Sequence, residues 1–277
     1  MRRADPAGNQ SQRGIFLAGG NALRALRLLF TVLALTALLA LGASAQLVKT
    51  YKPIKAGCCL LFQAQHFTHE LTDFNQLSRY HADDLRLEAA PPVPGRVVFL
   101  GDSITDIWQL AKYFPGKPYV NRGISGQTTV QMLARMFPDV IDLHPAAMVF
   151  LGGTNDVAAN TGPQTARMVE QNIQAIAELA KLHHIRVILC SLTPVSNYVG
   201  IVQTTDRPPA DILRLNRWIK SYARRTGAVY CDYYHTVVDA HGYFRRGYSI
   251  DGLHPNAKGF ALLAPVAERC IQTALHE

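Results

Sequence analysis

The chain has 277 residues, 48% hydrophobic and 17% charged, enough apolar material for a globular domain with a sizeable core. Its formal charge is +8 at pH 7, and removing the five arginines and one aspartate of residues 1–45 leaves +4. No lysine and arginine cluster follows, so a nucleic-acid partner is not expected.

Arg13, Arg24 and Arg27 precede the apolar run "LLFTVLALTALLALG" (28–42), which ends on Ala43-Ser44-Ala45. A basic stretch, a short apolar run and a small-x-small end predict a secretory signal peptide over 1–45, cut after Ala45. The expected location is therefore periplasmic or secreted. Residues 28–48 are also uncharged and long enough to cross a bilayer, so membrane contact is expected only if the segment stays uncleaved.

Residues 46–95 read as an N-terminal helical extension, with a helix near 70–88 and a stop at "PPVP" (91–94). Within it, His66, His69 and Glu70 lack a third spaced ligand and read as surface residues, so no metal is expected. Five cysteines, Cys58, Cys59, Cys190, Cys231 and Cys270, leave at least one thiol unpaired. Adjacent Cys58 and Cys59 are too close for an ordinary mutual bridge. Cys190 and Cys231 lie in apolar runs and read as small buried thiols, and no C-x-x-C suggests a redox or zinc site.

From 96 to 277 the chain alternates. Short apolar runs at 96–100, 118–120, 146–151, 186–190 and 228–231 predict strands. Helical spacing occupies 128–143, 166–183, 210–225 and 256–275. In 166–183, Met168, Ile173, Ile176, Ala177, Leu179 and Ala180 form the expected apolar face, and His183-His184 its solvated end. Gly227 ends the next helix as a C-cap. Strands this short and apolar, alternating with helices, imply one α/β domain with a parallel sheet covered on both faces.

Loops beyond the carboxyl ends of such strands carry function. "GDS" (101–103) follows the first strand, "NRGISG" (121–126) the second and "GGTND" (152–156) the third, while "DGLHPN" (251–256) precedes the last helix. These residues contain what acyl transfer needs. Ser103 offers a hydroxyl, His254 a base and Asp251 a carboxylate to orient it. The amides of Ser103 and Gly123 and the side chain of Asn155 offer donors to an oxyanion. Asp156 reads as a cap. No G-x-S-x-G, G-x-x-x-x-G-K or G-x-G-x-x-G occurs, which removes α/β-hydrolase, phosphate-loop and dinucleotide readings.

The four blocks, in this order, resemble those of the SGNH hydrolases, the GDSL-type esterases, over roughly 96–277. Their wording is similar to bacterial platelet-activating-factor acetylhydrolase-like proteins and carbohydrate acetyl esterases. The resemblance implies a flavodoxin-like α/β/α sandwich with five parallel strands and no cofactor. It also implies a triad of Ser103, Asp251 and His254, with Gly123 and Asn155 completing the oxyanion hole. Ile107 stands where relatives often carry glycine and is expected to narrow the site.

Loops 194–211 and 239–250 are expected to wall the site with Asn197, Thr204, Thr205, Asp206, Arg207, His241, Arg245 and Arg246. Their Tyr198, Tyr243, Phe244 and Tyr248 either line the site or pack the loops. A polar, aromatic rim suits a saccharide ester with a small acyl group, most simply acetyl. A lysophospholipase or thioesterase would use the same machinery. A non-catalytic envelope-binding module would have no use for it.

Overall fold

The structure, a computed structural model, describes residues 71–276. The expected signal segment, Cys58, Cys59 and the His66–Glu70 cluster lie outside those residues. Five strands form one parallel sheet: β1 (Val97–Gly101), β2 (Tyr119–Gly123), β3 (Ala147–Leu151), β4 (Arg186–Cys190) and β5 (Val229–Cys231). Their order, β2-β1-β3-β4-β5, is the flavodoxin-like one. The chain steps outward from β1 to β2, then returns to the other side of β1 as β3. That reversal opens a crevice at the carboxyl ends of β1 and β3. Both strands are wholly buried, as their unbroken apolar runs require.

The helices, in chain order, are α1 (His81–Ala89), α2 (Ser103–Asp106), α3 (Leu110–Tyr113), α4 (Thr129–Ala134), α5 (Thr154–Val157), α6 (Ala166–Leu182), α7 (Pro209–Thr226), α8 (Tyr234–Val237) and α9 (Ala257–His276). α4, α6 and α7 pack in one group, α3, α8 and α9 in another, and both groups meet β4. Gly227 ends α7 in the left-handed conformation, at φ 68°.

Several boundaries differ from expectation, each for a local reason. The helix expected over 128–143 stops at Ala134 and resumes as a π-helical turn at Phe137–Ile141, because Pro138 lacks an N–H and crowds the Ala134 carbonyl. On α6, Val169 is buried and Met168 is half exposed, since i,i+4 from Val169, not i,i+5 from Met168, meets Ile173. Near 70–88 the helix is broken: Leu71–Thr72 are helical, and the next α-helix begins only at His81. The Asp73 carboxylate accepts from the Leu77 and Ser78 amides at 2.8 and 3.0 Å, holding a separate 3₁₀ turn at Leu77–Arg79.

The described part of residues 46–95, from Leu71 on, is fastened to the sheet. α1 is fastened to β2 through Arg122, whose guanidinium meets Asp83 Oδ2 at 2.8 Å and Asp84 Oδ1 at 2.7 Å. The Tyr80 hydroxyl donates to the Gly123 carbonyl. Gln127 and Gln131 donate to the Asn75 and Phe74 carbonyls, each at 2.8 Å.

Cys190 is a buried free thiol, as expected, and burial pushes it up to about 12. Cys231 is not free. It forms a disulfide with Cys270, joining β5 to α9. The two partners lie 39 residues apart and meet only because α9 packs along β5.

Candidate active site

β1 ends at Gly101, and Asp102 caps the short α2 that follows, its Oδ1 accepting from the Ile104 amide at 3.0 Å. Ser103 thereby opens a helix at the mouth of the β1/β3 crevice. Asp102 is wholly buried, and that burial pushes its carboxyl up to about 6, despite the Ile104 amide and the nearby His254.

His254 reaches the same point from the other end of the sequence. Its Nε2 shares a hydrogen bond of 2.7 Å with Ser103 Oγ, and its Nδ1 one of 2.7 Å with Asp251 Oδ2. Burial opposes the charge on Asp251. The backbone and ring N–H groups of His254, with the Leu253 amide, outweigh that and hold its carboxyl below the usual range. An ionised carboxylate only accepts, so Nδ1 carries a hydrogen and Nε2 is left to accept from the serine hydroxyl. The turn that permits this passes tightly against a neighbour. Gly252 sits at φ +87°, and a Cβ there would lie 2.1 Å from the Ser196 carbonyl oxygen.

Ser103, Asn155 and His254 line one cavity of about 440 Å³, together with Ile107, Ser125, Gly126, Asn160, Arg207, Ile250 and Leu253. Asn155 enters from α5, at the end of β3. Its Nδ2 donates to the Gln127 carbonyl at 3.0 Å, and its Oδ1 accepts from Arg207 at 3.1 Å. Next to it, Asp156 caps α4 from outside, taking the Thr129 amide at 3.1 and 3.0 Å. A second cavity of about 300 Å³ shares Ile107 and Ile250 with the first and adds Gln109, Lys112, Tyr113 and Asn256.

Gly123 is not part of this wall. Its amide donates to Asn121 Oδ1 at 2.8 Å, and it faces α2, where a Cβ would lie 2.1 Å from the Asp106 nitrogen. Glycine stands at 123 so that α2 can press onto β2. The glycine that borders Ser103 is Gly126, whose carbonyl accepts from Asn160 Nδ2 at 2.9 Å. The amides of Ser103 and Gly126 make no hydrogen bond among the described residues.

The expected rim also changes. Of the two wall loops, only Arg207 and Ile250 line the cavity. Tyr198 and Tyr243 pack edge to face with ring centroids 5.9 Å apart, and Arg246 covers Tyr198. Phe244 is core, and Tyr248 packs against it. The aromatics hold the loops together.

A serine hydroxyl on an imidazole held by a carboxylate, beside unspent N–H donors, can attack a carbonyl and hold the resulting oxyanion. Comparison with known proteins gives this arrangement its setting. Residues 99–262 match the GDSL-like lipase/acylhydrolase family. A GDSL-like lipase from Bacteroides thetaiotaomicron is 36% identical over 73% of this chain and all of its own, with a TM-score of 0.67. A candidate acylhydrolase from Bacteroides fragilis is 33% identical over 73% of this chain and 99% of its own, with a TM-score of 0.68. An acetylxylan esterase from Geobacillus stearothermophilus, 21% identical over 65% and 95%, shares the fold at a TM-score of 0.54. No curated protein matches the chain. Fold and site together define an α/β ester hydrolase. The chain belongs to the GDSL-like lipase/acylhydrolase family.

Proposed function

We propose that the protein is a serine esterase that hydrolyses short-chain esters, chiefly acetyl esters of carbohydrate, through a Ser103-His254-Asp251 triad. The observation that carries the reading is the pair of 2.7 Å contacts joining Ser103, His254 and Asp251 at the edge of a cavity. Ser103 Oγ attacks the ester carbonyl as its proton passes to His254 Nε2. The oxyanion is met by the amides of Ser103 and Gly126 and by the second N–H of Asn155 Nδ2. His254 protonates the departing alcohol, and water then repeats the sequence to free the acid.

The apolar lining supports a small acyl group. It consists of Ile107, Ile250 and Leu253, and the first two are exposed at the rim. A long acyl chain draws ~0.8 kcal/mol from each CH₂ it buries and needs a continuous apolar channel to do so. The adjoining cavity, with Gln109, Lys112 and Asn256, offers polar partners to a hydroxylated alcohol portion. The acetylxylan esterase of like fold makes acetylated saccharides the natural first substrates to try. The signal-like segment and the Cys231–Cys270 disulfide support a periplasmic or secreted site of action.

The test is a series of p-nitrophenyl esters from acetate to decanoate, followed by acetylated saccharides. We expect kcat/KM to be highest from acetate to butyrate and to fall by octanoate. A rise through octanoate and decanoate would overturn the short-chain reading in favour of a lipase or lysophospholipase.

A further inference from the structure

Arg207 lies in the cavity wall beside Ser103 and His254, with the carboxylates of Asp206, Asp102 and Asp251 nearby. Its guanidinium donates to two neutral acceptors. Nη2 donates to Asn155 Oδ1 at 3.1 Å and Nη1 to Gln203 Oε1 at 3.1 Å. Gln203 Nε2 in turn donates to the Asp251 carbonyl at 3.3 Å. The loop is itself held, since Asn197 Oδ1 accepts from the Gln203 and Thr204 amides at 2.8 and 3.1 Å.

We propose that Arg207 is a positioning residue that locks the Asn155 amide with its free N–H turned to the oxyanion and ties that donor to the loop carrying Asp251. The proposal rests on the triad reading above. Its logic is one of donors and acceptors. A guanidinium can only donate and the Gln127 carbonyl can only accept. Flipping the Asn155 amide would therefore set donor against donor at Arg207 and acceptor against acceptor at Gln127. With both contacts in place, one Nδ2 hydrogen is spent on Gln127 and the other has a single fixed direction. Arginine suits the task because its planar fork spans two acceptors and its charge persists at every working pH, which a lysine ammonium cannot match.

A double-mutant cycle on p-nitrophenyl acetate tests this. Acting only through one oxyanion donor, Arg207→Ala cannot cost more than the loss of that donor. We expect kcat to fall about 10–10²-fold with KM little changed. In an Asn155→Ala background the same substitution should cost almost nothing, because the group it positions is gone. Added guanidinium ion should restore part of the kcat of Arg207→Ala and none in the double variant. Fully additive losses, or an effect confined to KM, would overturn the proposal. If the alanine variant does not fold, the cycle is run with Arg207→Lys, whose single ammonium cannot span both acceptors. Ser103→Ala run alongside separates the levels: retained turnover there brings down the triad itself, whereas an inactive Ser103→Ala with an additive cycle brings down only the role of Arg207.

Discussion

At the carboxyl edge of the sheet, the side chains of Asp251 and His254 are each 24% exposed and border an open cavity. Beside β2, Arg122 with Asp84 and Arg135 with Asp139 are at most 2% exposed. Each place pairs aspartate with a basic side chain, and the arrangement differs in what is left over. In the sealed cluster Arg135 also donates to the Gly101 and Arg122 carbonyls and to Gln127, so every arginine is spent on the scaffold. In the open site the serine hydroxyl, two backbone amides and one amide hydrogen remain available to a substrate. Charges enclosed together fix α1 to the sheet, while those bordering a cavity stay within reach of a substrate.

Substitutions should divide along that line. The largest effect is expected from Ser103→Ala, with kcat falling about 10⁴-fold or more and the thermal midpoint unchanged, because the hydroxyl carries chemistry and little packing. His254→Ala should be comparable. Esterase assays beside thermal melts check both, and wild-type turnover in Ser103→Ala would place the chemistry elsewhere.

Arg122→Met should do the reverse. It strands Asp84, which burial, with Asp139 close by, already pushes up to about 6 even with Arg122 present. Removing one partner of a buried pair costs about 3–5 kcal/mol. Urea unfolding should register that loss while kcat per folded molecule holds. Activity falling with stability intact would erase the distinction between the two regions.

Asn155→Ala should lower kcat about 10²–10³-fold with little change in KM. An effect on KM alone would move Asn155 from the transition state to substrate binding.

The smallest effect concerns pH. Asp102 titrates at about 6 when folded, against an ordinary value of 3.8. Between those values the folded chain binds more protons than the unfolded one, so this group makes stability fall as pH rises through that window. Asp102→Asn keeps the cap on Ile104 and removes the titration. Its thermal midpoint should therefore gain on the wild type by several degrees between pH 4 and pH 7. Parallel curves would contradict the assignment.

Most of the fold and the residues that gather at the site were legible in the sequence because each left a local mark. Most of the strands are apolar runs; Ser103 and Asn155 lie in the first turn of short helices close after strands, and Asp251 and His254 lie just before the last helix. Gly126 was missed because two glycines in "NRGISG" look alike, and only packing shows that Gly123 faces α2 while Gly126 faces the cavity. Arg207 meets Asn155 across 52 residues, a contact with no local signature. The Cys231–Cys270 pairing, the edge-to-face contact of Tyr198 with Tyr243 and the inward packing of Phe244 and Tyr248 are likewise products of tertiary contact.

The central claim is that Ser103 is a nucleophile activated by His254 and Asp251. A fluorophosphonate probe, which esterifies activated serines, tests it most directly when labelling is mapped by peptide mass spectrometry and followed against activity. The account predicts a single labelled site at Ser103, loss of esterase activity in proportion to labelling, and labelling slowed sharply in His254→Ala. A fully labelled Ser103 with activity intact, or activity lost through a label on another residue, would contradict it.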